Sequence, residues 1–255
     1  MNKTLTIILS FLYFSNLFAQ TESELYKIGI TNFKSEKYIE SIENFSELLK
    51  IVKGKDKQKI CYINRGLSYN KVKKYNLAIL DFSEAIKLNE NDYVSYLDRG
   101  LSKMYLENYE EALKDLHLVT EKCEIKEKVE SSLYWIIRIN YQQQNYALAV
   151  ANCEKYININ ETDSEIYFLL GNANDKLKEF EKAENNFTKA INLNPNYYEA
   201  IANRGTAKIN ILTKNKNLFP TKRQLESACE DFKRAISLGD INEKTILNCK
   251  NFCEK

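Results

Sequence analysis

A chain of 255 residues with only seven glycines and two prolines has few places for tight turns, which excludes a loop-rich or all-β fold and leaves long helices. With 44% hydrophobic and 28% charged residues it can bury a core beneath a polar surface, so it is not a disordered chain. Lysine and arginine (37) nearly balance aspartate and glutamate (35) without any like-charge block, which argues against nucleic acid as a partner.

Residues 1–19, MNKTLTIILSFLYFSNLFA, differ from everything after them. Lys3 provides a short basic start, Leu5 to Leu12 an apolar run, and Leu17-Phe18-Ala19 a small-residue end, the pattern of a cleaved secretory signal with Gln20 as the new N-terminus. The run is shorter than the roughly 20 residues that span a bilayer, so no stable membrane insertion is expected after cleavage. No cysteine follows it, which argues against lipid modification. The expectation is an exported bacterial protein, periplasmic or secreted.

The remainder, 20–255, is one repeat array whose period is set by glycine spacing. Gly66 to Gly100 and Gly171 to Gly205 are each 34 residues apart, Gly29 to Gly66 is three longer, and Gly100 to Gly171 is two periods plus three. A fixed period of this length signals stacked helical units. Nine residues after each reference position stands an aromatic (Tyr38, Tyr75, Tyr109, Tyr146, Phe180), and twelve after it a small residue (Ser41, Ala78, Ala112, Ala149, Ala183). Sixteen after it come Phe45, Phe82, Leu116, Cys153 and Phe187, and nineteen after it Leu48, Ala85, Val119, Tyr156 and Ala190. Steps of three, four and three hold these on one helix face. Upstream, Tyr167 and Leu170 form the facing stripe of a preceding helix, with Tyr62 and Tyr96 at the same aromatic position.

Tyr167, Leu170, Gly171, Phe180, Ala183, Phe187, Ala190 and Pro195 closely resemble the signature of the tetratricopeptide repeat. The repeats fall at 22–55, 59–92, 93–126, 130–163, 164–197 and 198–242. The fourth diverges most, with Ile137 for glycine and Cys153 for the aromatic. The resemblance implies an all-α fold, an α-solenoid of antiparallel helix pairs with about 13 helices in the mature chain, coiled into a right-handed superhelix whose concave face is lined by the first helices. In the sixth repeat eleven extra residues separate the first helix from Ala228, an insertion near 211–221. Thr221 and Gln224 have the form of a capping box, so the second helix should begin near Lys222. Gly239 marks a helix end, and the amphipathic segment 242–254 should cap the array.

Few residues suggest chemistry. His117 is the sole histidine and has no clustered ligands around it in sequence, and no phosphate loop, nucleophile elbow or paired-histidine motif occurs, so neither an enzyme nor a metal or cofactor site is expected. Of six cysteines, Cys153 replaces a core aromatic and should be a buried thiol. Cys229 should face the final helix, where Cys249 or Cys253 is placed to pair with it, Cys249 slightly closer by count; free buried thiols are the alternative. A covariation links the repeats. Arg65, Arg99 and Arg204 precede the glycine where Asp81, Asp115 and Asp231 lie on the second helix; Ile28, Ile136 and Leu170 stand there in the other repeats, with Asn44, Asn152 and Asn186 opposite. The expectation is an Arg–Asp ion pair inside each of the three repeats.

The resemblance also places the ligand-facing side chains on the first helices: Tyr26, Ile30 and Phe33; Leu67 and Asn70; Leu101, Met104 and Tyr105; Tyr134, Arg138 and Tyr141; Phe168 and Asn172. Ile63 and Leu97 share these phases, with packing between helices as their alternative role. Some members of the family hold a peptide's terminal carboxylate with a lysine and asparagines from successive first helices. Here Asn172 is present, but Phe168 stands where the lysine would, so that clamp is not expected. The sequence therefore points to a non-enzymatic exported scaffold that binds a protein or peptide in an apolar and aromatic concave groove, in a cell-envelope or secretion assembly. The alternative is an extracytoplasmic small-molecule or glycan binding protein, distinguished by a pocket of convergent polar groups in the groove.

Overall fold

The structure is a computed structural model that describes residues 21–214 and 220–253. The expected signal at 1–19 lies outside the described residues, as does the centre of the insertion. Every regular element described is a helix: α1 (21–34), α2 (Tyr38–Ile51), α3 (Lys55–Lys71), α4 (Tyr75–Leu88), α5 (Tyr93–Tyr105) and α6 (Tyr109–Lys122). They are followed by α7 (Lys126–Gln142), α8 (Tyr146–Ile159), α9 (Ser164–Lys176), α10 (Phe180–Leu193), α11 (Tyr198–Lys214), α12 (Lys222–Ser237) and α13 (Glu243–Cys253). This is the fold class expected, a helical-repeat solenoid. The helices gather into two compact units, one ending at Glu124 and the other starting at Ile125, where the sequence reads as one array. Within each unit, helices adjacent in sequence pack against each other. Odd-numbered helices are the first of each repeat and even-numbered ones the second, with α13 as the cap.

Each repeat closes on a close approach between its two helices. A Cβ on Gly171 would lie 2.6 Å from the Phe187 ring, and one on Gly205 would lie 2.9 Å from Phe232. Phe45, Phe82, Phe187 and Phe232 are all at most 1% exposed, each filling the space that a missing side chain leaves on its partner helix. Burying such a ring contributes roughly 2–3 kcal/mol, more than the roughly 1 kcal/mol that glycine costs in a helix interior.

The turn between the helices is built alike in five repeats. Glu36, Lys73, Glu107, Gln144 and Lys178 each have φ between 59° and 62°, the left-handed region. Around Lys178, Glu179 N donates to Asn174 O at 2.9 Å and Lys178 N to Asp175 O at 2.9 Å, the paired bonds of a Schellman motif; the same two bonds recur in the other four. None of these residues is glycine, so each turn holds about 1 kcal/mol of backbone strain that its hydrogen bonds and packing offset. In the sixth repeat the matching position, Leu212, is helical, and α11 runs on to Lys214, taking up the start of the insertion. Its second helix begins at Lys222 as expected. Thr221 N donates to Gln224 Oε1 at 2.9 Å and Gln224 N donates to Thr221 Oγ1 at 3.4 Å, a complete capping box.

The three-residue excesses in repeat spacing do not form linkers. They extend first helices: α3 and α7 have 17 residues each, against 13 in α5 and α9. The segments 56–58 and 127–129, left between repeats by the sequence reading, are therefore helical turns. Lys55 and Lys126 carry no breaker after them that would have stopped a helix there.

The fourth repeat solves the packing problem in reverse. Ile137 is 1% exposed and Cys153 is 0% exposed, and both belong to one apolar cluster with Leu133, Tyr156 and Ile166. The bulky partner has moved to the first helix and the small one to the second, so the joint volume remains close to that of a glycine with a ring. Ile137→Gly is expected to cost roughly 3–5 kcal/mol through a cavity plus helix propensity, and Cys153→Phe roughly 1–3 kcal/mol through overpacking. The double variant should recover most of the loss, a coupling readable as non-additive urea midpoints. Additive losses would show that the two positions do not share a volume.

Candidate functional site

The covarying arginines and aspartates meet in two-pronged ion pairs. Arg65 Nε and Nη2 donate to the two Asp81 oxygens at 2.8 and 2.7 Å, Arg99 to Asp115 at 2.9 and 2.7 Å, and Arg204 to Asp231 at 3.0 and 2.6 Å. The third arm of each fork reaches back to the second helix of the preceding repeat. Nη1 of Arg65 donates to Ser46 at 3.1 Å, that of Arg99 to Ser83 at 3.2 Å, and that of Arg204 to Thr188 at 3.4 Å. One planar group thus ties two repeats together, which a lysine's single point charge would not do. The hydrogen bond to Asp81 holds the Arg65 guanidinium above its usual pKa, while burial pushes the Asp81 carboxyl up.

Two further members of this network escaped the sequence reading. Where the arginine is present, the preceding second helix carries Ser46, Ser83 or Thr188; before Ile136 and Leu170 that position is His117 or Glu154. Three residues after the glycine, the arginine repeats have Tyr69, Lys103 and Lys208, and the others have Asn32, Asn140 and Asn174. Lys103 and Lys208 reach Asp115 and Asp231 at 2.8 and 2.7 Å, adding a second cation to each carboxylate. The covariation was visible by aligning the repeats on the glycine, at offsets of −1, +3 and +15, with the +17 position of the preceding repeat.

In the first unit the proposed binding residues lie on α1, α3 and α5. Tyr26 is 39% exposed and sets its ring edge against Phe45, with 6.1 Å between centroids, and Tyr105 is 52% exposed and stacks on Tyr75 at 4.9 Å. Phe33 packs edge-on against Tyr38, while Ile30, Leu67, Leu101 and Met104 are half-buried. Asn70 is occupied by a hydrogen bond from Ser102 at 2.9 Å. Ile63 stays half-buried, but Leu97 is 4% exposed, a core residue rather than a contact one. Beside Tyr26 an apolar hollow of about 360 Å³ opens between α1, α2 and α3, walled by Val52, Ile60 and Cys61, with the Lys57–Glu22 pair at its rim.

In the second unit the Tyr134 hydroxyl donates to Glu165 at 2.7 Å and accepts from Arg138 at 2.8 Å, and the Arg138 guanidinium lies over the rings of Tyr134 and Trp135. Phe168 packs on Tyr197 and Phe187 at 4.8 and 6.0 Å, so its ring is committed to the core edge and offers no cation there. A polar hollow of about 210 Å³ nevertheless forms next to it, lined by Tyr141, Asn172, Asp175, Lys176, Asn203 and Lys244 among others. Asn203 Nδ2 donates to Asn172 Oδ1 at 2.8 Å. Two amides with two lysines and the Asp175 carboxylate around them suit a small polar group. Lys176 comes from α9 and Lys244 from the cap α13, outside the repeats.

The cap is bonded to the array by Cys229–Cys253, with Cα atoms 5.5 Å apart. Each cysteine lies twelve residues from Ile241, the exposed centre of the turn, so an antiparallel pair brings these two level. Cys249, the nearer by count, turns inward with Ile209, Leu225 and Phe232 instead. Burial pushes the thiols of Cys61 and Cys153 up to about 11 and about 12, so neither supplies a thiolate nucleophile near neutral pH. Among the described residues no group of three or more His, Cys, Asp or Glu side chains gathers as a metal site. No helix among them is long and apolar enough to cross a membrane.

These stacked, glycine-keyed helix pairs define a helical-repeat protein. The family model of the tetratricopeptide repeat matches at residues 60–92 and 164–197, the second and fifth repeats, so the chain carries tetratricopeptide repeats at these positions within a helical-repeat solenoid. No curated protein matches it in sequence. Among solved structures it is similar to the C-terminal part of a repeat protein from Cytophaga hutchinsonii, with TM-score 0.67 and 21% identity over 87% of this chain and 98% of that one. It is also similar to YrrB, described as having an unusual peptide-binding site, with TM-score 0.62 and 19% identity over 81% and 97%. MamA from Desulfovibrio magneticus gives TM-score 0.61 and 18% identity over 73% and 97%. Proteins of this repeat family are in general non-catalytic scaffolds that bind peptides or proteins.

Removing one partner of a buried pair strands the other. Arg65→Leu should lower stability by on the order of 3 kcal/mol in chemical denaturation. Arg99→Leu should cost less, because Lys103 remains at 2.8 Å from Asp115. Adding Asp81→Asn to Arg65→Leu should restore most of the loss, reproducing the residue pair that the other repeats carry.

Proposed function

We propose that this chain is a non-enzymatic scaffold, exported to the periplasm or secreted, that holds another protein or peptide against the first-helix faces of its repeats in an envelope or secretion assembly. The observation that carries the reading is the exposure of Tyr26 beside the apolar hollow of α1–α3 and of Tyr105 on α5, aromatic surface that a folded chain gains by covering. The peptide-binding site reported for YrrB, a protein of the same fold, supports a peptide as the occupant. The polar hollow at Asn172, Asn203 and Lys244 favours a second reading, a site for a small molecule or glycan. At about 210 Å³ it has room for only a small group, which an acidic side chain or chain end of a bound peptide fills equally well.

Affinity capture from the native envelope fraction tests the face. Tyr26→Ala/Tyr105→Ala in the first unit, or Tyr134→Ala in the second, should deplete the partner set bound by the wild type. An identical partner set for both variants would overturn the reading. Intact mass of the exported protein tests the route. The expected mass is that of a chain beginning at Gln20 and lighter by two hydrogens for the Cys229–Cys253 bond. A chain that keeps residues 1–19 and stays with the cytosolic fraction would refute export.

A further inference from the structure

On the side of unit two formed by α8, α9 and α10 lies a hollow of about 350 Å³, apart from the first-helix face. It stands where three other repeats place their arginine network. Leu170 occupies the arginine's position, Asn186 the aspartate's, and Glu154 that of Ser46, Ser83 and Thr188. Tyr167 matches Tyr62 and Tyr96, whose rings lie 5.8 and 5.2 Å from the Arg65 and Arg99 guanidinium carbons. All four of these residues line the hollow. Leucine is shorter than arginine and donates no hydrogen bonds, so both the space and the acceptors of the network are left over.

A second, independent observation marks the place as incomplete. Asn174, 2% exposed and lining the hollow, has a buried side-chain oxygen with no hydrogen-bond partner. In the first repeat the matching Asn32 donates to Asn44 at 2.9 Å. A buried amide oxygen without a donor is disfavoured, and a ligand N–H would satisfy it.

We propose that this hollow binds a guanidinium group supplied from outside the chain, which takes the place of the missing arginine. Its N–H groups meet the Glu154 carboxylate and the side-chain oxygens of Asn174 and Asn186, and its plane lies over Tyr167; the positions of Glu154, Asn186 and Tyr167 are the three that Arg65 and Arg99 contact in their own repeats, and the Asn174 oxygen is a further acceptor. The Tyr167 face accepts a cation as it stands, since Lys189 Nζ lies 5.3 Å from the ring centroid. Lys189 is exposed, and so acts as the competitor that the ligand displaces. The other nearby lysine, Lys182, is paired with Glu179 at 3.1 Å. The group can arrive on a small molecule or on an arginine side chain of a protein. This site does not depend on the first-helix reading of function.

Titration of the full chain, followed by NMR, decides the matter with four probes: butylguanidinium, butylammonium, acetate, and the peptide acetyl-Gly-Arg-Gly-amide. Butylguanidinium should bind better than butylammonium, and acetate should not compete. Glu154→Gln, at an exposed position, should weaken butylguanidinium by roughly ten-fold, the effect of one lost charge-assisted hydrogen bond. Lys189→Gln should strengthen it, whereas an anion site would respond in the opposite sense. Leu170→Arg/Asn186→Asp should fill the hollow with the sibling network and abolish binding; if that variant does not fold, Glu154→Gln and Lys189→Gln still decide. Tighter binding of the peptide than of butylguanidinium assigns the group to a protein arginine, and equal or weaker binding assigns it to a small molecule. Butylguanidinium binding no better than butylammonium, or unchanged by Glu154→Gln, would overturn the proposal.

Discussion

The structure depends on how closely the two helices of a repeat approach each other. That distance is set where a glycine backbone accepts the ring or branched side chain of the facing helix, and the other features follow from holding it constant. If Gly171 carried even a methyl group it would meet Phe187 at 2.6 Å, so the pair must be read as one volume shared between two helices. The fourth repeat shows that the volume, and not the identity of either residue, is what the fold requires. Ile137 and Cys153 exchange the large and small roles and remain fully packed. Five turns with a non-glycine residue in the left-handed region point the same way. The close approach and its Schellman bonds outweigh about 1 kcal/mol of local strain at each turn.

Polar chemistry is layered onto this frame in two alternative sets. In one, arginine joins an aspartate of its own repeat to a hydroxyl of the preceding one, and lysine adds to two of the three carboxylates. In the other, an aliphatic residue stands with a pair of asparagines. A buried ion pair is weak evidence of net stability, and an apolar replacement of both partners can be neutral. Each of the six repeats accordingly carries one set or the other, and none pairs the arginine with asparagine or the aliphatic residue with aspartate. An arginine without its aspartate, or an aspartate without its arginine, strands a charge, which explains why the residues change together across the six repeats.

Much of this was legible before any coordinates. Spacing on the glycine located the helix pairs, Thr221 and Gln224 located the start of α12 to the residue, and the Arg–Asp covariation located contacts between residues sixteen or twenty-seven positions apart. What remained hidden depends on geometry that spacing does not carry. The extra residues at the starts of α3 and α7 contain no breaker, so nothing in the sequence distinguishes a linker from another helical turn. The choice between Cys249 and Cys253 depends on where the turn around Ile241 has its centre. The pairing of Asn172 with Asn203, beside Lys244, required the cap to stand as though it were one more first helix, a placement that composition alone does not state. Among the aromatic residues named for a binding face, Phe168 is half-buried against Tyr197 and Phe187 while Tyr26 and Tyr105 are exposed, a difference that the sequence does not show.

Conformity to the repeat and functional individuality are separable in this chain. The fifth repeat matches the family pattern and supplies the clearest glycine contact, yet it is there that the polar set is least complete, with a buried amide oxygen left without a donor. The positions that define the family are the ones that set the interhelical distance, and they are satisfied within the repeat. The positions beside them face the next helix pair, where an arginine, a pair of amides or an open hollow all fit the same backbone. A solenoid can vary these without disturbing its core, because each repeat contacts only its neighbours. A binding preference is therefore more readily written beside the signature than in it, and the repeat most faithful to the family remains free to carry it.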